Sequence, residues 1–325
     1  MQKLSIIIVN YKGWEALRAC LDSLAAYKSA FLEFEVIVVD NCSNDGFFTV
    51  FKTDFPLFTF IENSGNNGFA NGCNLGAKQA TSDLYLFLNP DTVIYKDSLD
   101  KYITDYIKNP EIAILSCLQV DENNTFYKQK NRFPTFFSFF GLSRAFYKRI
   151  FKNKIEKSFK ENVSFFYPQW VTGAVVLISK HWFEKVNGWN EDFWMYMEDV
   201  DLCKKVIDQK GIVAVTKNST IFHKHGGASR INVFTKALTK TEVLISKHVF
   251  INTHFNVLQQ VILHFFMVLG VLLEKGILSI ISLFVFKNLK LKVNRFILKN
   301  YLSYLLHALN NKTFLSFRSV NFNKN

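Results

Sequence analysis

The first hundred residues alternate between short runs of strand-forming residues and polar segments rich in Asn, Asp and Gly. The apolar runs predict buried strands at residues 4–9, 34–39, 58–62 and 84–88. Helical spacing of apolar residues predicts helices between them, at residues 14–26 and 74–80. Strands that alternate with helices imply a mostly parallel sheet flanked by helices, so the predicted fold class is α/β.

Polar side chains cluster in the segments that follow the predicted strands. These residues are Asn10, Asp40, Asn67 and Asp91. In open α/β sheets, ligands bind at the carboxyl ends of the strands, so we expect the four to meet at one site. Pro90 cannot donate to a sheet ladder and should end the fourth strand, which places Asp91 just beyond it. A simple Asn-Pro-Asp turn also explains this segment taken alone.

The glycines in residues 65–72 could cradle a phosphate through their backbone N–H groups. They do not form Gly-x-Gly-x-x-Gly, and no Gly-Lys-Ser/Thr motif is present. A dinucleotide-binding fold and a P-loop ATPase are therefore disfavoured. A flexible loop explains the glycines equally well.

A carboxylate cluster opens a predicted helix in the second half of the chain. Glu198, Asp199 and Asp201 follow an aromatic run, and the helix is expected to reach about Gln209. Acidic residues in a first turn favour the helix dipole, which is a structural explanation for all three. Further along, His223 and His225 precede a Gly-Gly pair.

Four segments, SIIIVNYKG, VVDNCSNDG, ENSGNNGFANGCNLG and YLFLNPDT, resemble the family 2 nucleotide-sugar glycosyltransferases. The resemblance is greatest to bacterial rhamnosyltransferase-like members and extends from residue 1 to about 230. It implies the GT-A fold, with a mostly parallel sheet between helices. It also implies inverting transfer of a sugar from a nucleotide diphosphate-sugar to a hydroxyl of a glycan or lipid-linked acceptor, and by analogy with those members the sugar is rhamnose.

The resemblance assigns a donor-binding role to residues at the ends of the predicted strands. Asp40 takes the position of the carboxylate that binds the nucleobase, with Asn10 and Tyr11 nearby. Further donor contacts are implied for Asn67, Gly68, Phe69, Asn89, Ser229 and Arg230. The guanidinium of Arg230 suits a diphosphate because it matches phosphate geometry.

The family's Asp-x-Asp metal motif falls on Asn89-Pro90-Asp91, so this chain has Asn at the first position. Asp91 is then the principal carboxylate for Mg²⁺ or Mn²⁺, ions that proteins often hold with one or two carboxylates and substrate phosphates. By its spacing from the carboxylate cluster, His223 is favoured as the second ligand, with His225 as the second choice.

The Glu198-Asp199 pair matches the family's Glu-Asp motif and implies that Asp199 is the general base, with Glu198 beside it. A base must reach the acceptor hydroxyl and have a pKa close to the working pH. Asp201 is the alternative base. The acceptor side of the cleft is assigned to Trp170, Gly173, Ala174 and Trp194. A kinked strand is predicted at residues 169–179.

The charge of the chain is uneven. Its 325 residues carry a formal charge of +12, yet no acidic residue follows Glu274 and the last 51 residues contain nine Lys or Arg. This asymmetry predicts an anionic surface as partner for the C-terminal region. The five cysteines lack metal-ligand spacing, so zinc and a disulfide framework are not expected, and a reducing compartment is favoured.

Two apolar runs, 261–273 and 276–286, are separated by Glu274-Lys275. Helices lying on the membrane are favoured, ahead of a re-entrant hairpin and a soluble helical cap. We therefore predict a catalytic domain at 1–230 and a helical, basic, membrane-associated region at 231–325. No N-terminal leader is expected, and the location is the cytoplasmic face of the cell membrane, peripheral or partly embedded.

Residues 127–160 interleave aromatic and basic side chains, a pattern also found in single-stranded nucleic-acid binding. No nucleic-acid module accompanies it, so a flap over the site or a membrane-facing surface is favoured, and no nucleic-acid partner is predicted. Two rival functions are a non-catalytic nucleotide-sugar-binding protein and a sugar-phosphate nucleotidyltransferase. The latter usually has an Arg- and Lys-containing Gly-rich loop after its first strand, unlike Asn10-Tyr11-Lys12-Gly13.

Overall fold

The computed structural model describes residues 1–135, 139, 160–224, 232–285 and 288–322. These residues fall into two compact units. The first lies within Met1–Phe133, Ser158–Asn190 and Glu198–His225, and the second within Pro134–Lys157, Glu191–Met197 and Gly226–Asn325. The predicted boundary between residues 230 and 231 stays a prediction.

The first unit is an α/β domain. Its strands are β1 (Gln2–Asn10), β2 (Leu32–Asp40), β3 (Thr59–Glu62), β4 (Leu84–Leu88), β5 (Thr92–Val93), β6 (Ile112–Val120), β7 (Phe165–Phe166), β8 (Val175–Ser179) and β9 (Ile212–His223). Its helices are α1 (Trp14–Ala25), α2 (Phe47–Asp54), α3 (Phe69–Gln79), α4 (Ser98–Lys108), α5 (Lys180–Lys185) and α6 (Glu198–Asp208).

The strands form one sheet in the order β3-β2-β1-β4-β8-β6-β9-β5, and β7 also pairs with β9. The pairs of β1 with β2 and β4, of β2 with β3, and of β6 with β9 are parallel. The antiparallel pairs involve β8, β5 and β7. The mostly parallel sheet flanked by helices confirms the predicted α/β class.

Both faces of the sheet are covered, which explains why β1 is almost continuously apolar. Ile6 and Ile8 belong to one hydrophobic cluster, while Ile7 and Val9 belong to another. Helices α1 and α4 contribute to the first cluster, whereas α3 and α6 contribute to the second. Burying each such side chain contributes about 1.5–3 kcal/mol.

Two glycines of α3 face the sheet rather than a ligand. A Cβ atom at Gly72 would lie 2.7 Å from Val9 Cγ1, and one at Gly76 would lie 2.5 Å from Ile7 Cγ2. Both distances are too short for a methyl group, so these glycines let α3 approach β1 closely. Gly72 therefore has a packing role. Gly68 has φ of 92° at the start of α3, a backbone conformation that favours glycine.

A bulge interrupts the pairing of β6 with β9. Cys117 is opposite Thr216, yet Leu118 is opposite Thr220, so residues 217–219 are extra in β9. The bulge is anchored to α4, because Asn218 Nδ2 donates to Asp105 Oδ2 at 3.0 Å and Ser219 Oγ donates to the Ser98 carbonyl at 2.8 Å. Beyond the bulge, β9 continues to His223.

The second unit is helical. It contains α7 (Val233–His254), α8 (Val257–Phe284) and α9 (Leu289–Asn311). Their shared core includes Ile245, Val271, Tyr301 and Tyr304. Within the described part of the chain, α8 is the one helix long and apolar enough to cross a membrane by length and composition.

The structure changes several predicted element bounds. Helix α3 begins at Phe69, because the glycine-rich segment that suggested a loop supplies its first turns. The kinked strand expected at 169–179 is shorter, since β8 starts at Val175 and Trp170 forms an isolated bridge with Asn131. Helix α2 follows the second polar loop and was not expected.

Candidate active site

Asn10 and Asp40 end neighbouring parallel strands and face each other in register. Asn10 Nδ2 donates to Asp40 Oδ1 at 2.9 Å, and both residues are fully buried. The Asp40 carboxylate also accepts from Ser43, at Oδ2 from the backbone N–H (2.8 Å) and at Oδ1 from the hydroxyl (2.6 Å). This carboxylate holds the loop after β2 in place. Tyr11 lies beside the loop and is 43% exposed.

An asparagine network joins the loops after β2 and β3. Asn63 Nδ2 donates to Asn41 Oδ1 at 3.0 Å, and Asn67 Nδ2 donates to Asn63 Oδ1 at 3.2 Å. Asn41 Nδ2 in turn donates to the Gly68 carbonyl at 3.0 Å. The structure therefore brings Asn10, Asp40, Asn67 and Gly68 into one polar network at the carboxyl edge of the sheet.

Asp91 and His223 are brought together by the pairing of β5 with β9, in which Thr92 is opposite His223. Asp91 Oδ1 lies 3.2 Å from His223 Nε2. This oxygen is buried and accepts no hydrogen bond from the residues that the structure describes. The backbone supports the pair, because Lys224 N–H donates to the Asp91 carbonyl at 2.9 Å.

Gln119 sets the orientation of the His223 ring. Its Oε1 lies 2.8 Å from His223 Nδ1, and since a carbonyl oxygen can only accept, Nδ1 carries a proton. In the neutral ring, Nε2 then presents its lone pair towards the Asp91 carboxylate. Two electron-rich atoms 3.2 Å apart are stabilised by a cation beside them, so the pair fits a divalent ion.

The protein itself supplies few ligands for a metal ion. In the described ranges, no group of three or more His, Cys, Asp or Glu side chains is placed to hold a metal ion. Mg²⁺ and Mn²⁺ sites of this kind are completed by water and by substrate phosphates. The donor set of Asp91 and His223 is compatible with such a site.

Asp199 lies in the first turn of α6 and is held by two backbone donors. Gly173 N–H donates to Oδ2 at 3.1 Å, and Val200 N–H donates to Oδ1 at 2.8 Å. Burial nevertheless raises the pKa of Asp199 from 3.8 to about 6, because desolvation outweighs these hydrogen bonds. A carboxylate with this pKa is suited to accept a proton near neutral pH.

Glu198 is the more buried partner of Asp199. It is 7% exposed, and its Oε2 has no hydrogen-bond partner among the described residues. Burial, and after it the charge of Asp199, raises the pKa of Glu198 well above its ordinary value. Before the helix, Tyr196 and Met197 have φ of 72° and 67°, a left-handed conformation that is unusual for consecutive non-glycine residues.

Gly173 and Ala174 connect the carboxylate cluster to the Asn-Pro-Asp turn. The Asn89 N–H donates to the Ala174 carbonyl at 2.9 Å, while Gly173 contacts Asp199. A Cβ atom at Gly173 would lie 3.2 Å from Phe69 Cε1. The segment is thus in contact with residues predicted for the donor and for the base.

Trp170 is anchored to the chain before residue 135. Its indole N–H donates to the Arg132 carbonyl at 2.9 Å. Trp194 belongs to the second unit, is 6% exposed and has the Arg318 guanidinium carbon 5.3 Å from its ring centroid. His225, Ser229 and Arg230 lie outside the described residues, and so does most of the proposed flap.

Sequence reasoning missed several residues that build the site. Ser43 binds Asp40, Asn41 and Asn63 connect the loops, and Gln119 orients His223. The sequence does give one indication of Gln119, which is a polar residue near the end of a mostly apolar strand. The others are ordinary turn residues, and their partners depend on the tertiary fold.

Comparison with known proteins identifies the family. The profile described as Glycosyl transferase family 2 matches residues 5–182. A second profile, described as N-terminal domain of galactosyltransferase, matches residues 157–225. The first match covers more than half of the chain.

Curated relatives share parts of this sequence. An uncharacterized glycosyltransferase of Haemophilus influenzae is 33% identical over 130 residues, which are 39% of this chain and 43% of that protein. Rhamnosyltransferase WbbL of Escherichia coli is 28% identical over 214 residues, covering 62% of this chain and 75% of the relative. The match thus spans less than half of the Haemophilus protein and three quarters of WbbL.

Solved structures share the fold at low sequence identity. GalNAc-T7, crystallised with UDP, GalNAc and Mn²⁺, aligns with a TM-score of 0.52 at 13% identity, covering 74% of this chain and 48% of that one. Staphylococcus aureus TarS 1–349 aligns with a TM-score of 0.50 at 16% identity, covering 77% and 65%. These neighbours confirm the GT-A fold expected from the sequence, and the chain belongs to glycosyl transferase family 2.

Proposed function

We propose that this protein is an inverting glycosyltransferase that moves a sugar from a nucleotide diphosphate-sugar to an acceptor hydroxyl. The observation that carries the proposal is the environment of Asp199. Its carboxylate is fixed by Gly173 and Val200, and its pKa is raised to about 6. Burying a charged carboxylate costs free energy, and a protein that only binds its ligand would gain nothing from it. A general base, by contrast, requires a carboxylate with a raised pKa.

In the proposed reaction, Asp199 accepts the proton of the acceptor hydroxyl as the oxygen attacks the anomeric carbon. The bond from that carbon to the diphosphate breaks, and the nucleoside diphosphate leaves. The Gly173 N–H bond limits rotation of the Asp199 carboxylate, so the base is positioned before the substrate arrives. Burial of the Asp199 carboxylate itself keeps the pKa of Asp199 high.

On the donor side, the loops after β1, β2 and β3 would enclose the nucleotide. Asn10 and Asp40 hold those loops, so we assign both a positioning role. The exposed ring of Tyr11 is available to contact the nucleobase. Phe69 packs edge-to-face on Trp189, with ring centroids 5.4 Å apart, and thereby fixes the wall next to Gly173.

Asp91 and His223 would hold Mg²⁺ or Mn²⁺. When bound, the ion would neutralise charge on the diphosphate. One of the similar folds, GalNAc-T7, was crystallised with UDP and Mn²⁺. The Asn at position 89 leaves Asp91 as the single carboxylate of the turn, so the protein alone should bind the ion weakly.

The proposed acceptor is a lipid-linked or polysaccharide intermediate of cell-surface glycan synthesis, used at the cytoplasmic face of the membrane. Rhamnose is the proposed donor sugar because WbbL is named a rhamnosyltransferase. The basic C-terminal region supports an anionic membrane surface as partner.

A donor screen tests the proposal. Purified full-length protein is incubated with a panel of nucleotide diphosphate-sugars, Mn²⁺ or Mg²⁺, and membrane extract or buffer alone, and release of nucleoside diphosphate is measured. We expect one donor to be consumed faster with extract, and Asp199→Asn to remove that gain. Donor binding without turnover on any acceptor would instead indicate the non-catalytic binding protein.

A further inference from the structure

The exposed side of α8 is apolar along its whole length. We define the outer face of α8 as Leu258, Val261, Phe265, Leu269, Leu273, Ile277, Ile280 and Phe284. Their exposures range from 41% at Leu269 to 78% at Phe284. The spacing of three or four residues places them on one side of a helix of 28 residues, about 42 Å long. Such an extended apolar surface on a protein indicates an interaction site.

The opposite side of α8 is covered by its own unit. Leu263, His264, Met267 and Val271 are buried, and Val271 packs with Ile245 of α7 and Tyr301 of α9. Glu274 carries the one charge among the exposed positions of α8, and Lys275 Nζ pairs with its Oε1 at 2.7 Å. Water therefore faces apolar side chains on one side of the helix.

Basic residues are exposed on the next helix, which packs against α8. Lys292, Arg295 and Lys299 are exposed on α9, and their spacing places them on one side of it. The charge of this region is complementary to anionic lipid headgroups. We propose that the outer face of α8 lies in the interface of an anionic bilayer, with the α9 basic residues at the headgroups.

An in-plane position agrees better with these charges than a spanning one. Helix α9 packs against α8 after a short connection, so it runs back beside it. If α8 crossed the bilayer, Lys299 would lie about 15 Å along α9 and thus near the centre of a hydrocarbon core about 30 Å thick. An exposed lysine is strongly disfavoured there.

Vesicle binding tests this inference separately from catalysis. The inference rests on the proposed function only in the use that the protein makes of membrane binding. Sedimentation with vesicles measures the binding itself and needs no substrate. We expect full-length protein to sediment with phosphatidylcholine–phosphatidylglycerol vesicles and more weakly with phosphatidylcholine alone. The double variant Leu269→Glu, Ile277→Glu should lower the partition coefficient more than about tenfold.

A matched control introduces two glutamates on the first unit instead of on α8. Leu57 and Val163 are 93% and 94% exposed on the first unit, so Leu57→Glu, Val163→Glu should bind vesicles almost as the unaltered protein does. Alkaline carbonate should release the bound protein. Equal binding of both double variants, resistance to carbonate, or a dimer that the α8 variant dissociates without any lipid binding would each overturn the proposal.

A second observation concerns residues 191–197, which lead directly into Glu198-Asp199. This segment is held by the C-terminal tail. Ser319 Oγ donates to the Glu191 carbonyl at 2.9 Å, and Asn321 Nδ2 donates to Asp192 Oδ1 at 2.8 Å. Helix α7 adds a third bond, from Ser246 Oγ to the Met195 carbonyl at 2.7 Å.

Arg318 is central to this arrangement. Its guanidinium lies over the Trp194 ring, and Nη1 is 2.6 Å from Oε1 of Glu242, a fully buried residue. An ion pair with one buried partner fixes the direction of the arginine. We infer that the tail at residues 314–322 positions the segment 191–197, and that Arg318 is a positioning residue for it.

Hydrogen exchange gives a readout that needs no activity. In Arg318→Ala we expect faster exchange at residues 191–197, partial rescue in Arg318→Lys, and no change in Arg295→Ala, an exposed arginine on α9. Given the proposed function, the acceptor KM should rise severalfold while donor hydrolysis without acceptor is kept. If Arg318→Ala fails to fold, Asn321→Ala takes its place. Unchanged exchange at 191–197 in a folded variant would overturn the inference, whatever the activity.

Discussion

Oδ1 of Asp91 lies 3.2 Å from Nε2 of His223, although the two residues belong to different halves of the chain. The pairing of β5 with β9 creates this contact, and Gln119 orients the imidazole from behind. Both atoms are electron-rich when the ring is neutral, so the arrangement favours a cation.

The first prediction concerns that pair. Asp91→Ala should abolish the Mn²⁺-dependent part of nucleotide diphosphate binding, measured by calorimetry with and without the ion. Gln119→Leu should weaken it about 10- to 100-fold, because a histidine ligand that loses its supporting hydrogen bond is no longer oriented. Asp208→Ala is the control, since this carboxylate is exposed and pairs with Lys204. Unchanged Mn²⁺-dependent affinity in Asp91→Ala would remove Asp91 from the metal site.

The second prediction separates the two candidate bases. Asp199→Asn should abolish transfer and leave nucleotide binding largely intact, because the amide keeps the shape of the side chain but cannot accept the proton. Asp201→Asn should retain transfer, since Asp201 is buried and its Oδ2 lies 3.4 Å from Lys205 Nζ. Initial rates with saturating donor make the comparison. Normal turnover by Asp199→Asn would show the assignment to be wrong.

The third prediction is the pH dependence of transfer. Burial raises the pKa of Asp199 to about 6, so the base is ionised above that pH and protonated below it. We expect kcat/KM to fall about tenfold per pH unit below about 6 and to level off above it. The raised pKa of Asp199 comes from the burial of its own carboxylate, so Glu198→Gln should leave the midpoint at about 6. A flat profile between about pH 5 and 7 would contradict this assignment.

The fourth prediction concerns stability. The pKa of Glu198 is raised in the folded protein, so folding takes up a proton and this residue costs stability as the pH rises above the ordinary value of 4.5. Glu198→Gln removes that cost. We expect it to raise the free energy of unfolding more at about pH 8 than near pH 4.5. Denaturant titration at both pH values measures the difference, and a gain independent of pH would contradict the mechanism.

The fifth prediction concerns Gly173. A methyl group there would lie 3.2 Å from Phe69 Cε1 and 3.7 Å from Asp199 Cβ, and Phe69 is itself packed against Trp189. Gly173→Ala should destabilise the protein by about 1–3 kcal/mol and reduce transfer by displacing Asp199. Gly270→Ala is the matched control, since nothing lies within 4 Å of its added Cβ and helix propensity favours alanine by about 1 kcal/mol. Thermal unfolding and initial rates distinguish the two variants.

Much of the donor side could be predicted from sequence, because strand runs and the polar residues after them are local signals. Asn10 and Asp40 end adjacent strands as expected, and Asp91 follows Pro90 beyond β4. Asp199 and Glu198 open a helix as predicted. These positions depend on periodicity and turn chemistry, which the chain carries locally.

The supporting residues could not be predicted in the same way. Gln119 reaches His223 only through the pairing of distant strands, and Gly72 looks like a phosphate-binding glycine until its contact with Val9 is known. Likewise, the basic tail suggested contact with an anionic surface, but the bond from Ser319 to Glu191 depends on tertiary packing. Long-range contacts of this kind leave no periodic pattern.

The bulge at residues 217–219 has a consequence for how this chain tolerates changes in length. Deleting those three residues would restore an unbroken ladder between β6 and β9, which as local pairing is favourable. Because Leu118 already pairs with Thr220 beyond the bulge, the deletion would keep that register and leave His223 opposite Thr92. It would instead remove the hydrogen bonds of Asn218 and Ser219 to α4. A loop-shortening deletion there should therefore lower the stability of the domain while His223 stays beside Asp91.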